Sequence, residues 1–584
     1  MRNVVFKSLF VLTVVASFGL AGVSLAEPIS QLSMQEIAER AIREAAAKAA
    51  KETAETESAA REVAEKSITL LKNDNNLLPL DTKKYKTIAV VGDLAKVENI
   101  GDYGSSQVHP PYVKTFMQAM EENYPDVKVT FIPTKKVKKN ENTIKCADAV
   151  ILLCGMRHGD EGEYIFIIGG DRKQLGLKKR EVEMLRYAGS LNKNTAAVVM
   201  GGNVIRMSEW KDSINSILMA YYPGMEGGNA IADIIFGKVN PSGKLPFAIA
   251  KSDTDYPEVK WLTLHQHYDY YNGYKKLEND CKVPDFPYGF GLSYTSFSID
   301  SAMTSDYAVK STVTNTGNCP GKEVVQVYIE APQGKIKKAK RVLVGFAKTR
   351  LLLPGESEEV SISFEQNDFA SFDESGVTGY KNAYVLEPGE YRVCVGADSV
   401  TNESVSGFTI AETVCVKQCL DISASTRKNR ILENIPQEIA QTGDKGIKLI
   451  DVKNGAYTME EFVAQLSDED LCDINRGEGA MGSSLGTEGN AGAYAGITES
   501  LRQKGIPAII TADGPAGLRV SRYTTLLPCG TAIACSFNEK LVEELFELVG
   551  NEAVHFGIDV NLAPGMNIHR NPLCGRNFEY FSQC

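Results

Sequence analysis

Short, almost wholly apolar runs separated by longer mixed segments set the rhythm of the first part of the chain. Thr87 to Gly92, Val127 to Ile132, Ala149 to Gly155, Ala196 to Gly201 and Ile217 to Tyr222 are short apolar runs, each too short for a helix. That is the pattern of strands covered on both faces. Their alternation with helix-compatible stretches predicts βα units, and so a parallel α/β sandwich over 67–252. Ahead of it, Met34 to Lys66 is rich in Ala, Glu, Lys and Arg with no Pro or Gly, which predicts an exposed helical lead-in across 27–66.

Past Ser252 the helical period is lost. A linker over 253–296 gives way to polar-apolar alternation such as Val324-Val325-Gln326-Val327-Tyr328-Ile329-Glu330, with turn signals at Pro354-Gly355 and Pro388-Gly389. A β-sandwich over 297–412 fits this period of two. After a second linker, 413–445, βα character returns over 446–584. Thr458-x-x-Glu461 and Ser467-x-x-Asp470 predict helix starts, and Ile506 to Thr511 and Ile558 to Ala563 predict buried strands. That length is about half of what a (β/α)8 barrel needs.

Composition narrows the function. The 584 residues are 43% hydrophobic with a formal net charge of -11 and no basic stripe, so nucleic acid is excluded as the expected partner. The first strand leads into Asp93-Leu94-Ala95 without G-x-G-x-x-G, so a dinucleotide cofactor is not expected, and no other cofactor is. Arg2 and Lys7 precede an apolar run from Leu9 to Leu20 and the small residues of Ser24-Leu25-Ala26, which predicts a signal peptide over 1–26 and a secreted or periplasmic protein with no later membrane span. Twelve cysteines lack any C-x-x-C pair, the closest being Cys415 and Cys419, and His265-Gln266-His267 has no third ligand nearby. No metal site is expected.

Several phrases resemble glycoside hydrolase family 3. They are Glu65 to Asn73 with Leu77-Leu78-Pro79-Leu80, Tyr222-Pro223-Gly224 with Glu226-Gly227-Gly228, Gly237 to Pro246, and Pro287 to Tyr294. Ala512 to Arg519 and Asn561 to Arg570, leading into Gly575 to Ser582, resemble the start of that family's barrel. The resemblance implies a β-glucosidase-like retaining exo-glycosidase built from an α/β sandwich, a fibronectin-III-like β-sandwich and a partial TIM barrel. The domain order is permuted, with the usual N-terminal domain last. The implied partner is a β-linked oligosaccharide or glycoside, and β-xylosidase specificity or a non-catalytic carbohydrate-binding protein are the alternatives.

Retaining cleavage needs one carboxylate to attack the anomeric carbon and one carboxylic acid to protonate the departing oxygen. The resemblance puts the acid/base in His158-Gly159-Asp160-Glu161-Gly162-Glu163-Tyr164, which continues to Gly169-Gly170 and Asp171-Arg172-Lys173. Glu161, followed by Gly162, is the preferred acid, with Glu163 its competitor. Asp513 is implied to hold the sugar in the terminal subsite, where a carboxylate accepts from adjacent hydroxyls; Arg576 is implied as a sugar contact, or as the partner of Glu579. Ser105 and Ser106 lie in a loop that resembles one reaching the sugar from the α/β side. The family's Lys-His pair and Asp-Trp nucleophile motif are expected after Gly575-Arg576. Eight residues follow Arg576 and no Asp-Trp dipeptide occurs, so the polypeptide is expected to be incomplete and inactive alone.

Overall fold

The structure, a computed structural model, describes residues 55–583 except 102, 164–169, 261–262, 306 and 436–437. The expected signal peptide and most of the lead-in lie outside the described residues. Within them, 55–66 is helical, as the composition predicts.

A six-stranded sheet organises the first domain: β1 (Thr69–Asn73), β2 (Thr87–Val91), β3 (Lys128–Ile132), β4 (Ala149–Gly155), β5 (Thr195–Met200) and β6 (Ser216–Met219), in the order β1-β6-β5-β4-β2-β3. Pairs from β3 across to β6 are parallel; β1 closes the edge antiparallel to β6. The lack of alternation in β2, β4 and β5 has its cause in burial on both faces, whereas the edge strand β3 departs from the expectation, with Lys128 and Thr130 exposed on one face. Val150, Leu152 and Cys154 of β4 enter one core, while Ala149, Ile151 and Leu153 enter the other, so both faces are dry. Each fully buried Val, Leu or Ile here contributes roughly 1.5–3 kcal/mol.

The sandwich comprises β7 (Phe297–Ser305), β8 (Ala308–Asn315), β9 (Val324–Glu330), β10 (Arg341–Lys348), β11 (Ser357–Ser363), β12 (Ser371–Asp373), β13 (Ala383–Leu386), β14 (Gly389–Gly396), β15 (Asn402–Ile410) and β16 (Val414–Gln418). They form antiparallel sheets β10-β9-β14-β15, β11-β8-β7 and β12-β13-β16. Because β16 pairs with β13, the sandwich runs to 418, past the expected boundary at 412. The expected linker over 253–296 is likewise structured: Tyr256, Tyr274, Leu277, Phe286 and Tyr288 all enter the core of the α/β domain. Apolar residues spaced without a regular period gave no sign of this packing.

The last segment starts its helices where the sequence marks them. Thr458 and Glu461 form a reciprocal cap on Met459–Ala464, and Ser467 and Asp470 do the same for Asp468–Arg476. Its sheet is short. β17 (Gly492–Ala495) runs antiparallel to β18 (Ala508–Asp513), which is parallel to β19 (Val560–Leu562). Among the described residues no barrel closes. Lys348 of β10 ties the three parts together, donating to Ser242 O at 3.0 Å and to Ser536 O at 2.6 Å.

Candidate active site

The ends of β4, β5, β6 and β18 supply the loops that meet here, as the carboxyl ends of parallel strands commonly do. The segment over 571–580 docks onto the α/β side by main-chain contacts. Arg172 N–H donates to Leu573 O at 2.8 Å, Gly575 N–H to Asp171 Oδ1 at 2.9 Å, and Asn203 Nδ2 to Pro572 O at 2.6 Å. Two glycines make this approach possible. A Cβ on Gly202 would lie 1.9 Å from Phe578 Cβ, and one on Gly575 would lie 1.9 Å from Gly170 O.

Four side chains converge at this seam. Ser105 N–H donates to Glu163 Oε2 at 2.6 Å, and Ser105 Oγ donates to Oε1 at 3.2 Å. Arg576 Nη1 donates to Glu163 Oε1 at 3.3 Å, while Nη2 reaches Ser105 Oγ at 3.2 Å. The same guanidinium grips Glu579, Nη2 to Oε2 at 2.8 Å and Nε to Oε2 at 3.0 Å. Of the two readings of Arg576 weighed from the sequence, the ion pair with Glu579 is present, and the same guanidinium also contacts Glu163, which the sequence did not anticipate. The side chains of Glu163 and Arg576 are 34% and 36% exposed, open enough to meet a ligand.

Asp513 is the last residue of β18, not a residue beyond it, and its side chain is 15% exposed. Burial lifts its carboxyl above the usual range; Arg519 and Arg576 oppose the lift and Glu163 adds to it, so Asp513 lies within electrostatic reach of both Glu163 and Arg576. Arg519 Nη1 stands 3.9 Å from Asp513 Oδ2.

Glu161 is placed differently. It is 2% exposed, with Oε1 accepting from Gly202 N–H at 2.7 Å and from Tyr222 OH at 2.6 Å, and Oε2 facing Arg172 Nη1 at 3.5 Å. The sequence preferred Glu161 to Glu163, and burial argues the other way: the Glu161 carboxylate is enclosed by protein, while Glu163 opens to solvent beside Arg576. Ser106 is buried. Sequence reasoning missed the local neighbour Arg519 beside Asp513, and also Tyr222 and Gly202 as partners of Glu161 and Asp171 as the acceptor for Gly575; no local motif marks the last three, which are long-range contacts. Among the described residues no three His, Cys, Asp or Glu side chains are grouped to hold a metal ion, His265 and His267 are exposed, and no cysteine is in a disulfide.

Residues 68–294 match the glycosyl hydrolase family 3 C-terminal domain, 323–399 a fibronectin type III-like domain, and 442–584 the glycosyl hydrolase family 3 N-terminal domain. A β-glucosidase A of Butyrivibrio fibrisolvens is 30% identical over 660 residues, covering 89% of this chain and 76% of that protein. The chain belongs to glycoside hydrolase family 3. This family-3 chain is also 40% identical over 419 residues to a β-glucosidase of Ruminococcus albus, covering 65% of the chain and 44% of the relative, so it spans less than half of that protein's length. A solved β-glucosidase from Paenibacillus barengoltzii superposes with a TM-score of 0.80 at 33% identity, over 90% of this family-3 chain and 65% of the solved one.

Proposed function

We propose that this protein is a β-glucosidase-like retaining exo-glycoside hydrolase acting on terminal β-linked glucose, with Glu163 as the proton donor and Asp513 as the carboxylate that holds the terminal sugar. The carrying observation is the placement of Glu163: an acidic loop of the α/β domain presents a partly exposed carboxylate to Ser105 and to Arg576. A proton donor must reach the glycosidic oxygen, and an enclosed carboxylate such as Glu161 does not. Arg576, anchored on Glu579, orients Glu163 and leaves an edge for a sugar hydroxyl. Family likeness assigns the attacking carboxylate to the later half of the barrel, and none of Glu163, Asp513 or Glu579 is given that role. The same likeness supports reading β17–β19 with their helices as the start of a (β/α)8 barrel, and the N-terminal pattern supports reading the protein as exported.

Binding tests this without requiring turnover. A glucose-derived imidazole places a ring nitrogen where the departing oxygen would stand, so its affinity reports both the proton donor and the sugar subsite. Titration calorimetry is expected to show binding to the full chain that falls at least tenfold in Glu163→Gln and in Asp513→Asn. Equal affinity in parent and Glu163→Gln would overturn the assignment of the donor. Preference for the xylose-derived imidazole would move the specificity to β-xylosidase. No binding of either would overturn the glycosidase reading of these residues.

A further inference from the structure

Two residues before Glu163, the Glu161 carboxylate takes no part in the chemistry assigned above, yet it is the most fully enclosed acid of the loop. Its three partners belong to three different pieces of chain: Gly202 follows β5, Tyr222 follows β6, and Arg172 stands at the far end of the acidic loop. Those pieces converge on the segment that carries Arg576. Gly202 packs against Phe578, Tyr222 meets Phe578 edge-on with ring centroids 5.9 Å apart, and Thr531 Oγ1 lies 3.0 Å from Gly202 O. Arg172 is itself held, donating from Nη1 to Val204 O at 2.7 Å and from Nη2 to Leu175 O at 3.0 Å. Between the two glutamates, Gly162 N–H donates to Gly170 O at 3.2 Å, and Gly162 O lies under Gly575.

A carboxylate taken out of water persists only when it is paired and hydrogen-bonded. An apolar side chain of the same size would fill the space but leave the Gly202 N–H and the Tyr222 hydroxyl without an acceptor. The arrangement therefore fixes where the loop starts relative to β5, β6 and the docked segment at once.

We infer that Glu161 is a positioning residue, clamping the start of the acidic loop to the ends of β5 and β6 so that Glu163 is held against Ser105 and Arg576. This rests on Glu163 being the proton donor, and acts through it. The test compares the full chain with Glu161→Ala, Glu161→Gln, Glu163→Ala and the double variant Glu161→Ala/Glu163→Ala, by calorimetric affinity for the glucose-derived imidazole and by hydrogen exchange across 157–163. Glu161→Ala is expected to raise exchange there and to lower affinity about tenfold or more. Glu161→Gln keeps an oxygen for Gly202 and Tyr222 and is expected to restore most of both. The double variant is expected to bind no worse than Glu163→Ala alone, because the effect passes through Glu163. Losses that add in the double variant, or a folded Glu161→Gln that rescues nothing, would overturn the positioning role alone. Unchanged binding in Glu163→Ala would instead sink the proton-donor reading and the positioning role with it. Should Glu161→Ala fail to fold, Tyr222→Phe removes a single hydrogen bond and carries the same comparison.

Discussion

Glu163 and Arg576 stand 413 residues apart in the chain and 3.3 Å apart in the structure. One comes from the loop after β4, the other from the segment docked across the carboxyl edge of the α/β sheet. Arg576→Lys keeps the charge but loses the planar fork that serves Glu579, Glu163 and Ser105 together. Titration with the glucose-derived imidazole is expected to show a loss of about tenfold or more for Arg576→Lys, with a smaller change in thermal midpoint. Parent-like affinity in this variant would show that the fork does not organise the site.

Asp513, the carboxylate proposed to hold the sugar, is costly to ionise in the fold. Burial favours its neutral form, so the folded pKa lies above the unfolded one, and the stability gained by protonation is present at low pH and lost as pH rises through the raised value. Asp513→Asn is therefore expected to raise the thermal midpoint at neutral pH while weakening imidazole binding at least tenfold. The parent's affinity is expected to weaken as pH falls into the range where Asp513 protonates, since a protonated acid accepts fewer hydroxyl hydrogen bonds. A variant that is destabilised at neutral pH, or that binds the imidazole as tightly as the parent, would contradict this account.

Gly575 has no room for a side chain, because a Cβ would meet Gly170 O at 1.9 Å and Gly162 O at 2.5 Å, both of them backbone. Gly575→Ala is expected to cost about 1–3 kcal/mol and to lift the docked segment off the acidic loop. Limited proteolysis should then cut within 571–580, and imidazole affinity should fall with it. Protection equal to the parent's would show that the loop gives way instead.

His569 is buried with Nε2 at 2.9 Å from Tyr580 O and Nδ1 without a hydrogen-bond partner. Burial holds its imidazole down at about 4. A ring kept neutral by the fold contributes stability that is fully present above the ordinary imidazole value and is lost as pH falls from there to about 4, roughly 3 kcal/mol in all. Denaturant titrations of the parent between pH 7 and 4 should show that loss, and His569→Gln should flatten it. An identical slope in both proteins would assign acid sensitivity to other groups.

Much of the fold was legible because each layer buries its faces in a regular period. The dry runs of β2, β4 and β5 announced a parallel sheet, and Thr458 and Ser467 announced their helices; the alternation of Val324 to Glu330 announced a strand, but β9 is buried on both faces, Gln326 included. The packing of Tyr274 and Tyr288 within the expected linker was not legible, since irregular backbone buries its side chains without a repeat. The local phrases that hold Ser105, Asp513 and Arg576 were legible in the sequence. The choice between Glu161 and Glu163 was not, because both are acids in one Gly-containing loop.

The sequence alone determined which residue types were available, that βα units precede a run of alternating strands, and that an acidic loop follows β4. Tertiary structure alone decided which glutamate faces solvent and which is sealed under Gly202 and Tyr222. Exposure is a property of neighbours: the atoms that enclose Glu161 and orient Glu163 come from loops after β5 and β6 and from the docked segment, and no local pattern of residues encodes a contact made across that distance.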